Sequence, residues 1–366
     1  FQDEKNFIPY GRQTISEADV DAVTKVLRSA YLTQGPSVPA FEEAVAKKVG
    51  AQYGVAVNSA TSALHIACLA LDLGPGDRLW TSPNTFVASA NCGRYCGATV
   101  DFVDIEPSTG LMNITALARK LHAAEVEGTL PKVVVPVHLC GTSCDMKAIN
   151  ELAMEYGFSV LEDASHAVGG KYQKQPVGNC RYSKITVFSF HPVKIITTGE
   201  GGIATTNDSA MAERMKNLRS HGITKEAKKF ELLAKGPWSY EQQELGFNYR
   251  MTDMQAALGL SQLKRLNEIV EEREKIFRRY QLLLEDVRGN LLQVTGGLGV
   301  HGSNGFLGGP DLIRNRLFLG LFGVLCSSGL GLSGLDLQLG GEVFSSLGGR
   351  LFQGLHHLLL TPSLDR

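Results

Sequence analysis

Several features that would point to a large charged or lipid partner are missing from this sequence of 366 residues. Basic and acidic side chains are balanced at 36 and 37, so the net charge of −1 offers no attraction to nucleic acid or to an anionic membrane. Apolar runs end after about ten residues, whereas a membrane-spanning helix needs roughly 20. The start, Phe1-Gln-Asp-Glu-Lys5, lacks the basic and apolar regions of a secretory signal. We therefore expect neither nucleic acid nor a membrane as the partner.

The number and the spacing of the cysteines do not suit a disulfide framework. The seven cysteines are an odd number, which favours reduced thiols in a cytoplasm. The spacings of Cys92 and Cys96, and of Cys140 and Cys144, differ from the shorter gap of common zinc sites. A metal-dependent hydrolase built on His138, Cys140 and Cys144 stays open as an alternative. We favour buried apolar thiols and expect no metal.

The apolar pattern predicts an α/β domain up to about Thr295. Short runs rich in Val, Ile and Phe alternate with helical patterns, which is typical of a mostly parallel sheet wrapped by helices. The predicted strands are Gly54–Val57, Val100–Ile105, Val133–Val137, Phe158–Leu161, Ile185–Phe190 and Gly202–Thr205. The first predicted helix begins at a capping box at Ser16 and packs through Val20, Val23 and Leu27. The other predicted helices are Met146–Tyr156, Asp208–Ser220 and a long stretch from about Thr252 to Asp286.

The last 71 residues, 296–366, have a different composition. They contain 17 Gly and 19 Leu but no Lys, Tyr or Trp, and Gly interrupts almost every apolar run. Such a segment could collapse, but it could hardly specify one packed structure. It is either a flexible insertion or the product of a reading-frame error in the source sequence, and we favour the frame error.

The stretch Asn58–Leu64 follows a predicted strand and opens a helix. The unpaired N–H groups and the positive dipole end of a helix start suit a phosphate, and Thr61 and Ser62 add hydroxyl groups. An ordinary helix cap would explain the same residues. Neither a Walker loop nor a G-x-G-x-x-G sequence occurs, so nucleotide hydrolysis and dinucleotide binding lack their usual signatures.

Two further stretches carry a carboxylate and an amine. Asp163 ends the apolar run Ser159–Asp163, at the edge where open α/β sheets bind ligands. There it could pair with a pyridinium nitrogen, or simply cap a helix. Lys194 lies between an apolar strand and a Gly-rich turn, where desolvation could lower its pKa enough to make it an amine nucleophile. An ordinary surface lysine is the alternative, but the nearby Thr197, Thr198 and glycines permit a close backbone approach that a solvated loop would not need. A fourth stretch, Leu245–Gly259, is a polar loop leading into a helix, with Thr252 as its cap and Met254, Leu258 and Leu263 in the core.

Taken in order, these stretches are recognisable. The sequence N-S-A-T-S-A-L, then E-D-A-S-H, then S-F-H-x-x-K-x-I-T-T-x-E-G-G, then G-x-N-Y-R-M-T-D-x-Q-A-A-L-G closely resembles the sugar aminotransferases of the DegT/DnrJ/EryC1/StrS family. The earlier turn Leu32–Gly35 also fits, and the resemblance runs from about Ile8 to Leu292. It implies a pyridoxal-phosphate enzyme of fold type I. The motifs look most like the branch that aminates a UDP-linked 4-keto-6-deoxy-N-acetylhexosamine on the way to pseudaminic acid.

The resemblance also assigns residue roles. Lys194 would form the internal aldimine with pyridoxal phosphate and move the proton. Asp163 would hold the ring nitrogen, and His166 would lie near the hydroxyl side of the ring. Phe86 would stack on the ring face. The cofactor phosphate would be bound by Thr61, Ser62 and Ser189, and by Asn248 of the neighbouring subunit, which implies a homodimer.

The family resemblance implies an overall function and a domain plan. An amino group would pass from glutamate, through the cofactor, to C4 of the nucleotide sugar, in the cytoplasm. Residues 1–250 would form the large cofactor-binding domain and residues 251–295 a long helix leading to a small domain. Nothing after Gly296 matches that small domain, so we expect lower stability and activity than in an intact relative. A catalytically impaired or regulatory protein of the same fold is the alternative.

Overall fold

The computed structural model describes residues 11–231 and 236–283. Eleven strands lie in these ranges: β1 Tyr53–Val57, β2 Arg78–Thr81, β3 Thr99–Phe102, β4 Val133–Val135, β5 Ser159–Asp163, β6 Lys171–Tyr172, β7 Gln175–Pro176, β8 Ile185–Ser189, β9 Gly202–Thr206, β10 Ile223–Thr224 and β11 Glu241–Gln242. The α-helices of the same ranges are α1 Glu17–Leu27, α2 Ser37–Val49, α3 Ala60–Ala70, α4 Ala88–Tyr95, α5 Ile114–Glu127, α6 Met146–Tyr156, α7 Ser209–Leu218, α8 Asp253–Lys264 and α9 Leu266–Leu283.

Seven of the strands form one mixed sheet, in the order β1-β9-β8-β5-β4-β2-β3. The neighbours β3, β2, β4, β5 and β8 are parallel, and β9 runs antiparallel to both β8 and β1. The expected mostly parallel sheet wrapped by helices is therefore confirmed. Since parallel strands end at the same edge, the carboxyl ends of β5 and β8 lie side by side, next to the beginning of β9.

The predicted strands all occur, with small shifts at their ends. Strand β2, which lies between β3 and β4 in the sheet, was not predicted. With only four residues, beginning at Arg78, this strand is too short and too polar at its start to show an apolar run. Its central residues Leu79 and Trp80 are nevertheless buried, because helices cover both faces of the sheet.

Apolar side chains on the two faces of the sheet form separate cores. On one face Leu79, Val135 and Leu161 pack with helices α3 and α4. On the other face Trp80 and Val134 pack with residues of α5 and α6. These alternating positions follow from the two-residue period of a strand, so that neighbouring residues of one strand serve different cores.

The capping box at Ser16 is confirmed, but the expected core face of α1 is wrong. The Ser16 N–H donates to the Asp19 carboxylate at 2.8 Å. Val20 and Leu27 are exposed, and the buried residues of α1 are Asp19 and Val26. Asp19 accepts hydrogen bonds from Gln262 and Arg265, which hold this side of α1 against α8. Polar pairing, which hydrophobic periodicity cannot reveal, decides the orientation.

The predicted long helix from Thr252 is two helices, because the chain leaves helical geometry at Arg265 between α8 and α9. The cap at Thr252 is confirmed, since its side chain accepts the N–H of Gln255. Met254, Leu258 and Leu263 are only half-buried, in contrast to the expected core positions. Within residues 11–231 and 236–283, no helix is long and apolar enough to cross a membrane. The predictions for residues 296–366 lie outside the described residues.

Candidate active site

Three sequence motifs meet at one edge of the sheet. Strand β9 begins at Gly202, which pairs with Val57 at the end of β1 and with Ser189 at the end of β8. The chain leaves β1 through Asn58 and enters helix α3, so the start of α3 lies beside Ser189. The carboxyl end of β5, next to β8, carries Asp163. The fold thus places the predicted phosphate and ring-nitrogen ligands along a single edge.

The start of α3 presents backbone N–H groups that are unpaired in the described part of the chain. The Ser59 side chain caps the helix by accepting the N–H of Ser62 at 3.1 Å. The N–H groups of Ala60 and Thr61 have no acceptor among the residues that the structure describes. A Cβ placed on Gly202 would lie only 2.5 Å from the Ala60 nitrogen. Glycine therefore lets β9 approach these free donors closely, and the donor set fits a phosphate.

The hydroxyl groups near the start of α3 are not equally available to a ligand. The Ser62 hydroxyl is buried and donates to Asn58 Oδ1 at 2.7 Å. It can bind a phosphate oxygen only if that bond breaks. Thr61, in the first turn of α3, is half-buried, and Ser189 is buried at the end of β8. The backbone N–H groups at the start of α3 are therefore more available to a ligand than the Ser62 hydroxyl.

Asp163 is held rigidly at the end of β5. Its side chain is buried, and Oδ1 accepts two hydrogen bonds from Ser165, from the backbone N–H at 3.1 Å and from the hydroxyl at 2.6 Å. Oδ2 accepts the hydroxyl of Ser89 at 2.6 Å. Ser165 follows in the same motif, but Ser89 lies 74 residues earlier and belongs to none of the four sequence motifs. No local signal could have found it, because only the fold brings α4 to this edge.

Lys194 and His166 complete a cluster around Asp163. Burial, and then the charge of Lys194, lower the pKa of His166 to about 4, with Asp163 opposing the effect. The ring is therefore neutral at pH 7. Its Nδ1 accepts the backbone N–H of Cys140 at 3.3 Å, which leaves the proton on Nε2. Lys194 is half-buried in the turn between β8 and β9.

Phe86 lies in the loop between β2 and α4, with 63% of its surface exposed. The neighbouring Thr85 hydroxyl lies 2.8 Å from the hydroxyl of Ser89, which in turn bonds Asp163. The backbone carbonyl of Phe86 also accepts the N–H of Ser89 at 3.2 Å, so this loop is joined to the residue that bonds Asp163, while the stacking of Phe86 on the cofactor ring stays a prediction.

Asn248 is exposed, outside this cluster. It makes an isolated bridge with Ser220, and the carbonyl of the next residue, Tyr249, accepts the N–H of Asn58 at 2.8 Å. In the described part of the protein, its side chain forms no hydrogen bond with Thr61 or Ser189. The predicted role across a subunit interface stays a prediction.

The residues of the alternative metal site are engaged in other contacts. His138 Nε2 lies 2.7 Å from a Glu162 carboxylate oxygen, and its Nδ1 lies 3.3 Å from the backbone nitrogen of Cys144. Cys140 is exposed, which corrects the expectation of a buried thiol, whereas Cys144 is buried. Among the described ranges, no group of three or more His, Cys, Asp or Glu residues could hold a metal ion. Cys326 lies outside the described residues.

Comparison with known proteins agrees with this geometry. The sequence model of the DegT/DnrJ/EryC1/StrS aminotransferase family matches residues 13–298. The spore coat polysaccharide biosynthesis protein SpsC of Bacillus subtilis is 43% identical, over 79% of this chain and 72% of its own. A UDP-4-amino-4,6-dideoxy-N-acetyl-beta-L-altrosamine transaminase of Campylobacter jejuni is 39% identical, over 75% of this chain and 68% of its own.

Solved structures show the same similarity. Helicobacter pylori PseC, described as an aminotransferase of pseudoaminic acid biosynthesis, superposes with a TM-score of 0.68 at 34% identity. The match covers 76% of this chain and 71% of that one. The sugar aminotransferase Spr1654 of Streptococcus pneumoniae, in its PLP form, superposes with a TM-score of 0.66 at 30% identity, over 76% of this chain and 71% of that one.

Proposed function

Because this chain belongs to the DegT/DnrJ/EryC1/StrS aminotransferase family, we propose that it moves an amino group from glutamate to C4 of a UDP-linked 4-keto-6-deoxy-N-acetylhexosamine. Membership makes the chain a sugar aminotransferase. The choice of sugar is supported by the names of the Campylobacter relative and of PseC, both of which concern this class of amino sugar. In this proposal the enzyme acts in the cytoplasm, where nucleotide sugars and glutamate are available.

The observation that carries the proposal is the convergence of an amine, a carboxylate and an anion site at one sheet edge. Pyridoxal phosphate, when bound, supplies a protonated ring that accepts the electrons released at the substrate carbon. The N–H groups of Ala60 and Thr61, with the hydroxyl groups of Thr61 and Ser189, would hold its phosphate. Asp163 would hold the proton on the ring nitrogen, and Phe86 would cover one ring face.

Lys194 is the residue that we propose for proton transfer. Its amine lies near His166, whose depressed pKa keeps the imidazole neutral and thereby avoids a second positive charge beside the lysine. A neutral His166 also presents an Nε2–H donor, which suits the ionised hydroxyl of the ring. Lys194 can then take a proton from the substrate carbon and return it, which is general acid–base work near pH 7.

We further propose a homodimer in which Asn248 reaches the phosphate bound by the other subunit. Asn248 is exposed, and the segment before it exposes three large apolar side chains, Trp238 at 75%, Tyr240 at 63% and Leu245 at 81%. Burying such a patch against a second copy would stabilise the pair and place Asn248 at the interface. In the same scheme residues 1–250 form the cofactor-binding domain and residues 251–295 lead out of it.

The decisive experiment follows the absorption spectrum of the protein loaded with pyridoxal phosphate. Glutamate is expected to convert the bound cofactor to its aminated form, and a UDP-linked 4-keto sugar to reverse the change. Lys194→Ala should abolish both conversions. Lys184→Ala is the matched control, because this lysine is exposed immediately before β8, and it should leave both conversions intact. Cofactor binding without either conversion would contradict the proposed activity and favour the regulatory alternative.

A further inference from the structure

A buried serine on α4 connects the loop of Phe86 to the carboxylate of Asp163. Ser89 is in the first turn of α4 and is fully buried. Its hydroxyl donates to Asp163 Oδ2 at 2.6 Å, a distance typical of a bond to a charged acceptor. An apolar side chain of the same size would fill this position without the cost of desolvating a polar atom. The hydrogen bond to Asp163 therefore gives the buried hydroxyl a role besides packing.

The direction of the hydrogen bonds around Ser89 follows from its chemistry. A serine hydroxyl has one proton, and an ionised carboxylate can only accept. The Ser89 proton is therefore used toward Asp163, and Thr85, 2.8 Å away, must donate to Ser89. The result is a chain of two bonds, from Thr85 to Ser89 to Asp163, in which each donor strengthens the next.

Counting acceptor positions shows what remains for a ligand. An ionised carboxylate accepts at about four positions, two on each oxygen. Ser165 uses both positions of Asp163 Oδ1, and Ser89 uses one position of Oδ2. One position is left, on Oδ2, and the bonds to both oxygens fix the plane in which it lies. The carboxylate is thus oriented before any ligand arrives.

We propose that Ser89, supported by Thr85, is a positioning residue that fixes the Asp163 carboxylate so that its remaining acceptor position receives the ring N–H of pyridoxal phosphate. The inference rests on the proposed function, since it concerns the same cofactor. It adds that the loop of Phe86 and the carboxylate of β5 are connected, so the stacking side chain and the ring-nitrogen ligand are placed together.

The test is a double-mutant cycle between Ser89→Ala and Asp163→Asn, read as the dissociation constant of pyridoxal phosphate and as the rate of its conversion by glutamate. Losing one charge-assisted hydrogen bond should weaken cofactor binding and slow the conversion by about tenfold, with little change in the KM for glutamate. In the Asp163→Asn background, Ser89→Ala should have no further effect, because its action passes through that carboxylate.

Thr81→Val is the matched control. Thr81 is fully buried at the end of β2, and its hydroxyl donates to the carbonyl of Val135 and not to Asp163. This variant also loses a buried hydroxyl and should keep the wild-type cofactor affinity. Equal losses in Thr81→Val and Ser89→Ala, or additive effects of Ser89→Ala and Asp163→Asn, would show a merely structural role and overturn the inference.

The outcomes separate the two proposals. A wild-type protein that binds the cofactor but does not react with glutamate would contradict the proposed function, while the cycle of binding constants would still decide the role of Ser89. Wild-type affinity in Ser89→Ala would overturn the inference and leave the function standing. A wild-type protein that binds no cofactor would overturn both.

Discussion

Replacing Gly202 by alanine tests the close approach on which the anion site depends. The added Cβ would lie 2.5 Å from the nitrogen of Ala60 and 2.6 Å from the carbonyl carbon of Ser59. Ordinary contacts of this kind are about 3.5 Å long, so the first turn of α3 would have to move by roughly 1 Å. Both neighbours are backbone atoms, which cannot rotate away as a side chain could.

Two effects should follow, one on folding stability and one on cofactor binding. Overpacking of this type costs about 1–3 kcal/mol of folding stability. A displacement of about 1 Å would also misalign the N–H groups of Ala60 and Thr61, and losing one hydrogen bond to a charged group costs about 1.5–3 kcal/mol. We therefore expect the dissociation constant of pyridoxal phosphate to rise by about tenfold to a hundredfold in Gly202→Ala.

The assay measures the dissociation constant of pyridoxal phosphate by titration. A separate urea unfolding curve at the same temperature checks that the variant is folded. Gly74→Ala is the matched control, because its Cβ would meet no atom within 4 Å. It should bind the cofactor as the wild type does. If Gly202→Ala bound the cofactor with the affinity of Gly74→Ala, the start of α3 would not be the phosphate site, and the reasoning from close approach would be refuted.

Three further predictions concern buried polar groups. The pKa of His166 is lowered to about 4 in the folded protein, from 6.5 in the unfolded chain. As the pH falls from 6.5 to 4, the unfolded chain therefore binds a proton that the folded chain does not, and the free energy of unfolding should fall by up to about 3 kcal/mol. Urea titrations at several pH values should show a shallower fall in His166→Gln, and an unchanged slope would contradict the assignment. Asp253→Asn should destabilise the protein by about 1–2 kcal/mol, because this buried side chain accepts the backbone N–H of Gly35, before α2, and that of Val38, in the first turn of α2; an unchanged urea midpoint would argue against it. Glu162→Gln should lower the free energy of unfolding by about 3 kcal/mol because it breaks the buried pair with His138, and a loss no larger than that of an exposed Glu→Gln variant would count against this estimate.

Short-range patterns in the sequence were sufficient for much of the fold. Strand periodicity located six of the seven strands of the main sheet, and the capping signals at Ser16 and Thr252 marked real helix starts. Those features depend on residues close together in the chain, and local physical rules therefore predict them. The four motifs, with their order, were likewise enough for the family and the type of reaction.

The sequence patterns did not predict features that depend on the tertiary fold. Asp19 turns α1 toward α8 through residues more than 240 positions away, so the apolar face of that helix was assigned to the wrong side. Strand β2 was missed because its burial comes from its place in the sheet and not from its own composition. Side-chain orientation within a motif was also not predicted: the Ser62 hydroxyl, expected at the cofactor phosphate, donates to Asn58 Oδ1 only four residues away.

The residue types that this protein brings to its chemistry are visible in the chain itself: a lysine before a Gly-rich turn, an aspartate at a strand end and a hydroxyl-rich helix start. How they are held follows from the folded structure. It places Ser89 against Asp163, Cys140 N–H against His166, and β9 against the first turn of α3. The physical reason is that orientation and protonation depend on neighbours in space, and the sheet brings those neighbours from distant parts of the chain.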